Sequence, residues 1–330
     1  MVDVTNAQQI LLVIRREDLF SSDTKESHKE YKLLSKMWHP DVCSNPKATE
    51  VFNHLTKLYK NQRIEAKNIV TFYEQQGKPI DVQYFKTDIF EMGSVYIGNG
   101  SVDFSFSKDW IDAFKRCKKN ISIVSNGIRA SPNIKDMESE AIPKVKQAFL
   151  DKTSGFGILR FDVGEGYYRL SDVNRAYGSI DSKHVAWMIS RLCNIMCVLY
   201  SAGYSHNGIT LDNIFICPEL HKVRLIGGWS YATKIGSKLE SVSAEIFKIM
   251  PQFVKNTKEA SIETDIESIK AIGRFLTKGQ NIPSPYKDWL WSANEQTPYK
   301  EFENWDRTIE QSFGKRKFIK MDVDEQLIFN

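Results

Sequence analysis

The chain has 330 residues, which is enough for two or three domains. Its 45 basic residues nearly balance its 41 acidic residues, so the net charge gives no support for nucleic-acid binding. A hydrophobic content of 42% is that of an ordinary globular protein. The five cysteines include no Cys-x-x-Cys pair, which predicts reduced thiols and no metal site.

The first distinctive segment is the tripeptide His39-Pro40-Asp41. Apolar residues recur at helical spacing over residues 31–38 before it and over residues 51–59 after it. The proline predicts that the first helix ends at the tripeptide, because proline cannot continue a helix. Asn45-Pro46 has the cap and first-turn residues typical of a new helix. The pattern predicts two antiparallel helices with the tripeptide in their connection.

A basic helix that ends in His-Pro-Asp, followed by a returning amphipathic helix, resembles the J domain of Hsp70 co-chaperones. The resemblance implies that His39, Pro40 and Asp41 engage an Hsp70-family chaperone. It also implies that Lys29 and Lys32 form a positive face toward that partner, which would mainly set the rate and orientation of encounter.

Strand patterns begin near residue 85. Alternating apolar residues at 93–98 and 101–106 flank Asn99-Gly100, which predicts a β-hairpin. The further predicted elements are a helix at 110–117, a strand at 121–124, a helix at 138–149, a strand pair at 156–161 and 167–170, and helices from 183 onward.

The second distinctive pattern joins these halves of the chain. The spacing of His206 and Asn213, followed by Gly227-Gly228-Trp229, resembles the catalytic and metal-binding loops of the protein-kinase fold. The resemblance implies that Asn213 matches the metal-binding asparagine, and that Asp212 beside it is a displaced metal ligand.

Two glycines stand where the kinase family has carboxylates. Gly208 takes the place of the catalytic aspartate and Gly227 that of the magnesium-binding aspartate. Glycine has no side chain to orient a hydroxyl group or to hold Mg²⁺. We therefore predict a catalytically degenerate, pseudokinase-like domain, no enzymatic activity and no resident cofactor. A vestigial ATP and Mg²⁺ site at His206, Asp212 and Asn213 is the alternative.

Together the resemblances predict an α+β protein. A small all-α J-like helical hairpin domain precedes a two-lobed kinase-like domain with a strand-rich small lobe and a helical large lobe. The predicted segments are a J-like domain at 1–65, a linker or connecting helix at 66–84, the small lobe at 85–175 and the large lobe at 176–330.

The expected function is that of a J-domain co-chaperone that recruits and stimulates an Hsp70 ATPase. The kinase-like domain would hold a client or partner protein and so raise the effective concentration of Hsp70 there. Two alternatives stay open: an atypical nucleotide-dependent kinase or transferase, and a nucleic-acid-binding accessory protein suggested by the basic clusters at 115–119 and 314–317.

The same fusion resembles J-domain-containing proteins of large tailed bacteriophages, which implies the host cytoplasm. The start of the chain lacks the pattern of a signal peptide. The longest apolar stretch, residues 185–204, contains Arg191 and Asn194, which favours a buried helix over a membrane span. We therefore expect a cytoplasmic protein without membrane contact.

Overall fold

The computed structural model describes residues 2–13, 16–21, 23–40, 42–60, 66, 68–315 and 317–329. The chain divides into two compact units, Met1–Glu65 and Ala66–Asn330.

The smaller unit is helical. It contains α1 (Ala7–Leu11), α2 (Thr24–Met37) and α3 (Ala48–Lys60). The ring of Tyr31 stacks on that of Tyr59 with centroids 4.0 Å apart, and the ring of His39 meets that of Phe52 edge-on at 5.3 Å. Because the order of these partners is reversed between α2 and α3, the two helices are antiparallel. Trp38 is buried in the core of this unit, and its Nε1 donates a hydrogen bond to the backbone oxygen of Val4 at 3.0 Å.

The larger unit has a strand-rich part followed by a helical part. In chain order its elements are β1 (Asn68–Tyr73), β2 (Pro79–Tyr84), β3 (Lys86–Phe90), β4 (Gly93–Ile97), β5 (Ser101–Phe106), α4 (Ile111–Ala130), α5 (Glu138–Ala141), β6 (Lys144–Leu150), β7 (Gly157–Asp162), β8 (Tyr168–Arg169), α6 (Leu170–Tyr177), α7 (Ser182–Ser201), β9 (Tyr204–Ser205), β10 (Ile214–Cys217), β11 (Lys222–Leu225), β12 (Thr233–Lys234), α8 (Ala244–Ile249), α9 (Gln252–Thr257), α10 (Ile262–Leu276), α11 (Ser284–Trp291), α12 (Pro298–Phe313) and α13 (Glu325–Phe329).

The small lobe is an antiparallel sheet with strand order β3-β4-β5-β7-β6 and α4 against one face. The predicted hairpin around Asn99-Gly100 is confirmed: Ile97 pairs with Val102, and the positive φ of Gly100 suits the tight turn. Apolar residues of β5, such as Phe104, face the main core, whereas Asp103 points to the opposite face and pairs with Arg160.

Over residues 68–84, the β1–β2 hairpin replaces the linker or connecting helix predicted at 66–84, and Phe72 pairs with Ile80 in it. Phe72, Ile80 and Val82 are buried against Ile158 of β7, so the hairpin covers the outer face of the sheet. The reason is that Val70 and Phe72 of β1, and Ile80 and Val82 of β2, are apolar and recur at every second position, which is the period of a strand with one buried face.

Three other predicted elements are corrected. Residues 121–124 belong to helix α4, whose buried residues recur at helical spacing rather than in alternation. The predicted helix at 138–149 stops at Ala141, before Pro143, and continues as strand β6. Residues 168–169 pair with β10 of the large lobe instead of with β7, and the following α6 also packs against β10. Residues 168–175 therefore belong to the large lobe and not to the small lobe predicted at 85–175.

The large lobe is built around α10, which is buried along most of its length and packs against α7. Within the part of the chain that the structure describes, no helix is both long and apolar enough to cross a membrane. The apolar helix α7 is instead part of the core.

Candidate functional site

The loop between β9 and β10 is held by a single carboxylate of α10. Asp265 accepts hydrogen bonds from the backbone amides of His206 (2.6 Å) and Asn207 (2.8 Å), and from Ser205 Oγ (3.1 Å). Burial raises the pKa of Asp265 to about 6, although these hydrogen bonds oppose the shift. The brace fixes the backbone at the start of the predicted catalytic loop.

His206 is a core residue. Its side chain is fully buried and its ring meets that of Trp229 edge-on, with centroids 4.8 Å apart. Burial lowers the pKa of His206 to about 3, so the ring is neutral at neutral pH. The residue therefore positions the segment after β11 rather than exchanging protons with a ligand.

Asn213 lies at the end of the same loop, beside the two glycines. Its Nδ2 donates to the backbone oxygen of Gly208 at 2.9 Å. Its Oδ1 lies only 2.0 Å from the place that a Cβ on Gly227 would occupy. The amide is thus fixed with its oxygen toward the glycine position where the resemblance implies a carboxylate.

A cavity of about 690 Å³ lies between the two lobes. This size is within the range of roughly 300–1,000 Å³ that is usual for small-molecule sites. We call this cavity the interlobe cleft. The small lobe lines it mainly with apolar side chains: Phe90, Met92, Val95, Phe104, Phe106, Leu159 and Phe161. The large lobe lines it mainly with polar and charged ones: Arg169, Arg175, Thr210, Asp212, Asn213, Ser230, Ser243 and Glu245.

Two carboxylates of the large lobe face this cleft close together. Glu245 lies in the first turn of α8, and its pKa is raised by burial and by the charge of Asp212. Asp212 was predicted from its place beside Asn213. Glu245 was missed, because it lies 32 positions beyond Asn213 in a segment without a motif.

The small lobe lacks the usual phosphate-binding features of the kinase fold. The turn between β3 and β4 is only Glu91-Met92, and Glu91 accepts a hydrogen bond from the Tyr231 hydroxyl at 2.8 Å. Strand β5 contains no lysine. The ring of Phe104 instead extends to within 3.3 Å of the Cβ position on Gly227. One end of the cleft is therefore closed by contacts between the lobes.

The residues predicted to bind an Hsp70 lie in the other unit. Pro40, Lys29 and Lys32 are exposed, and Lys29 pairs with Glu26 at 3.0 Å. His39 is half-buried against Phe52. Asp41 lies outside the described residues. His206, Asp212 and Asn213 belong to the larger unit.

The structure resembles that titled "Structure of vaccinia related kinase 3". The TM-score is 0.52 at 14% sequence identity, over 76% of this chain and 92% of that one. The fold is kinase-like. No family model matches the sequence, and no curated protein matches it either. The J-domain resemblance and the bacteriophage source thus remain predictions.

The prediction that the chain is not an enzyme is wrong. It rested on the glycines at 208 and 227, whereas the kinase-like fold matches a protein whose title names a kinase. Two missing carboxylates in the sequence do not exclude chemistry, because folding brings the carboxylates of Asp212 and Glu245 into the cleft that Asn213 also lines.

Proposed function

We propose that the larger unit is an atypical nucleotide-dependent kinase or transferase, with its nucleotide in the interlobe cleft. The observation that carries this proposal is the fixed amide of Asn213. Its Nδ2 is engaged by Gly208, while Asp212 and Glu245 supply carboxylates to the same cleft.

The oxygen atoms of these three side chains are of the chemical type that binds a divalent cation. Carboxylate and amide oxygens are the ligands that Mg²⁺ prefers. Burial, and after it the charge of Asp212, raises the pKa of Glu245, and a cation between the two carboxylates would reduce their repulsion. The Arg169 guanidinium lies 3.9 Å from Asp212, measured from Nη1 to Oδ1. Mg²⁺ there would neutralise charge on nucleotide phosphates. The described residues contain no cluster of three His, Cys, Asp or Glu suited to a metal, so the proposal needs the Asn213 amide as a ligand beside the two carboxylates.

The rest of the cleft suits a planar ring. Phe104 and Phe161 form part of its apolar wall, and the side chains of Val95 and Leu159 extend that wall. Aromatic and branched side chains hold a flat ring through dispersion and exclusion of water. The absence of a lysine from β5 means that charge on the phosphates must be balanced from the large lobe.

Nucleotide binding tests this proposal directly. The affinity of the full chain for a fluorescent ATP analogue is measured by titration with and without Mg²⁺. We expect Mg²⁺ to tighten binding, and Asn213→Ala to weaken the Mg²⁺-dependent binding by at least tenfold. Asn256→Ala, at an exposed site on α9, is the matched control and should bind as the wild type does. Binding that ignores both Mg²⁺ and Asn213→Ala would contradict the proposal.

Phosphoryl transfer is measured next, as release of phosphate from ATP and as labelling of the chain itself. We expect slow turnover that Asp212→Asn and Glu245→Gln each reduce by at least tenfold. Tight, Mg²⁺-dependent binding without any turnover would reject the transferase and leave only the nucleotide site.

A second function is favoured by one specific observation in the smaller unit. We propose that this unit docks an Hsp70-family chaperone, with a client or partner protein held by the larger unit. Support comes from the antiparallel α2 and α3, which place His39 and Pro40 in their connection while Lys29 and Lys32 lie exposed on α2.

The steady-state ATPase of a bacterial Hsp70 tests this docking. The wild type should stimulate the rate, and His39→Gln should lose the stimulation. His28→Gln is the control, since His28 is an exposed histidine in the same unit. No stimulation by the wild type, or equal loss in both variants, would contradict the docking.

A further inference from the structure

A charged cluster joins the two lobes at the edge of the interlobe cleft. Lys86 of β3 contacts Asp172 of α6 through Nζ and Oδ1 at 2.6 Å. Asp88 of β3 pairs with Arg169, which also bonds Asp172 through Nε and Oδ2 at 2.8 Å. We call these four residues the interlobe clamp. Each lobe contributes one acid and one base, so the clamp is neutral and every charge in it has a partner on the other lobe or beside it.

The large-lobe half of the clamp is deeply buried. The side chain of Asp172 is 1% exposed and that of Arg169 is 4% exposed. Burial alone would raise the pKa of Asp172, but the hydrogen bonds and charges of Arg169 and Lys86 lower it below its ordinary value. If the lobes separated, Arg169 and Asp172 would lose partners while still largely surrounded by protein, which opposes opening.

Helix α13 contacts the two chain segments that carry the clamp residues. The ring of Phe329 stacks on that of Phe85, with centroids 4.8 Å apart, and also contacts the ring of Tyr168. The Tyr168 hydroxyl donates to Glu325 at 2.8 Å. Phe85 directly precedes Lys86 in the chain, and Tyr168 directly precedes Arg169. The C-terminal segment thus holds the backbone on both sides of the clamp.

We propose that α13 and the interlobe clamp form a strap that keeps the lobes closed and controls entry to the interlobe cleft. Asp88 and Arg169 of the clamp also line that cleft, so release of the strap opens it directly. As a means of regulating ligand access, the strap rests on the proposed function of the cleft. The strap itself is a property of the fold and is measurable without a nucleotide.

The thiol of Cys117 reports on opening. Cys117 is buried on α4 and lines the cleft, whereas Cys193 is buried in the core on α7. Alkylation of both thiols by N-ethylmaleimide is followed by mass spectrometry in the full chain. Lys86→Met removes one clamp pair, and Phe329→Ala removes the aromatic contact of α13.

We expect each variant to alkylate Cys117 at least threefold faster than the wild type, with the rate at Cys193 unchanged. Lys144→Met is the matched control, because the 2.6 Å pair of Lys144 with Asp162 joins two strands within the small lobe. It should leave both rates unchanged. An unchanged rate at Cys117 in both strap variants would overturn the proposal. Equal acceleration at Cys117 and Cys193 would overturn it too, because that result signifies general unfolding.

The thiol labelling and the nucleotide titration test the two proposals independently. If the ATP analogue does not bind but the strap variants expose Cys117, the proposed function is rejected and the strap stands. If the analogue binds with Mg²⁺ but the strap variants leave Cys117 protected, the strap is rejected and the nucleotide site stands.

Discussion

At the scale of single residues, the position of the Asn213 side chain in the cleft depends on the absence of a side chain at Gly227. Asn213 occupies space that any residue larger than glycine at position 227 would need. Its amide oxygen remains near the cleft because Nδ2 is bonded to the backbone of Gly208. Replacing the glycine with the carboxylate of an ordinary kinase would therefore disturb this site rather than complete it.

Gly227→Ala should lower the free energy of unfolding by about 2 kcal/mol, because the new Cβ forces the Asn213 amide away from its hydrogen bond. Urea denaturation measures the change. Gly127→Ala on α4 is the control: its Cβ would lie 3.6 Å from the nearest atoms, which is ordinary contact, and alanine favours a helix. Equal destabilisation by both substitutions would contradict the steric argument.

The buried ring of His206 makes stability depend on pH. Its folded pKa of about 3 lies below the unfolded value of 6.5, so the unfolded chain takes up the proton first as the pH falls. Stability from this residue is present above pH 6.5 and is lost toward pH 3, by about 2 kcal/mol between pH 7 and pH 5. Asp265, with its raised pKa, acts in the opposite direction and reduces the net slope.

His206→Leu should remove this loss of stability with falling pH. The free energy of unfolding of the variant should therefore decrease less than that of the wild type between pH 7 and pH 5. Urea midpoints at the two pH values provide the comparison. The exposed His28 supplies the control, since His28→Gln should keep the wild-type slope. An unchanged slope in His206→Leu would show that the ring does not stay neutral when folded.

At the scale of elements, α10 is the centre of the large lobe. Asp265 on this helix holds the backbone of the loop that resembles a kinase catalytic loop, and Lys270, five residues later, pairs with Glu301 of α12 at 3.0 Å. The side chains of Lys270 and Glu301 are 0% and 2% exposed. The helix therefore connects the site to the rest of the lobe through buried charge as well as apolar packing.

Glu301→Ala should cost about 3–5 kcal/mol of unfolding free energy, because it leaves the Lys270 ammonium buried without its partner. The double variant Lys270→Leu with Glu301→Leu should recover much of this loss, since no lone charge remains. Thermal and urea unfolding measure both variants. Lys115→Ala, which breaks an exposed pair with Asp112, should change little. A double variant as unstable as the single one would contradict this account.

Elements were predicted well where the signal is local. The hairpin at Asn99-Gly100 follows from turn chemistry, and the apolar periodicity before and after Pro40 is that of the two helices found there. The short apolar run at 121–124 was assigned to a strand because a run of that length fits either period. In the structure this run is part of α4, whose buried residues recur at helical spacing and pack against one face of the sheet.

At the scale of the whole molecule, each unit has a core of its own. Ile10, Leu34, Trp38 and Val51 belong to the core of the smaller unit. The larger unit closes its core without contribution from them, and its β1–β2 hairpin covers the outer face of the sheet. The two units are thus distinguished by their separate clusters of buried residues.

A fragment of residues 66–330 should fold cooperatively. Its thermal midpoint should lie within a few degrees of the midpoint at which the larger unit unfolds in the full chain. A fragment of residues 85–330 is the matched control. It lacks Phe72, Ile80 and Val82, exposes Ile158 and should be clearly less stable. Circular dichroism during heating distinguishes the two. Failure of the longer fragment to fold would show that the units depend on each other.

The sequence by itself determined the local features of this protein. Proline, glycine and apolar periodicity act over a few residues, so they are enough to predict helix ends and the hairpin, whereas the loop with His206 and Asn213 was assigned from its resemblance to the kinase family. Only the tertiary structure brought Glu245 into the cleft and placed Asp88 beside Arg169, 81 positions away. Opposite charges attract wherever folding brings them together, and without motifs at those positions sequence patterns do not reveal which strand meets which helix. The interlobe clamp and the grouping of Asp212, Asn213 and Glu245 along one cleft are consequences of packing.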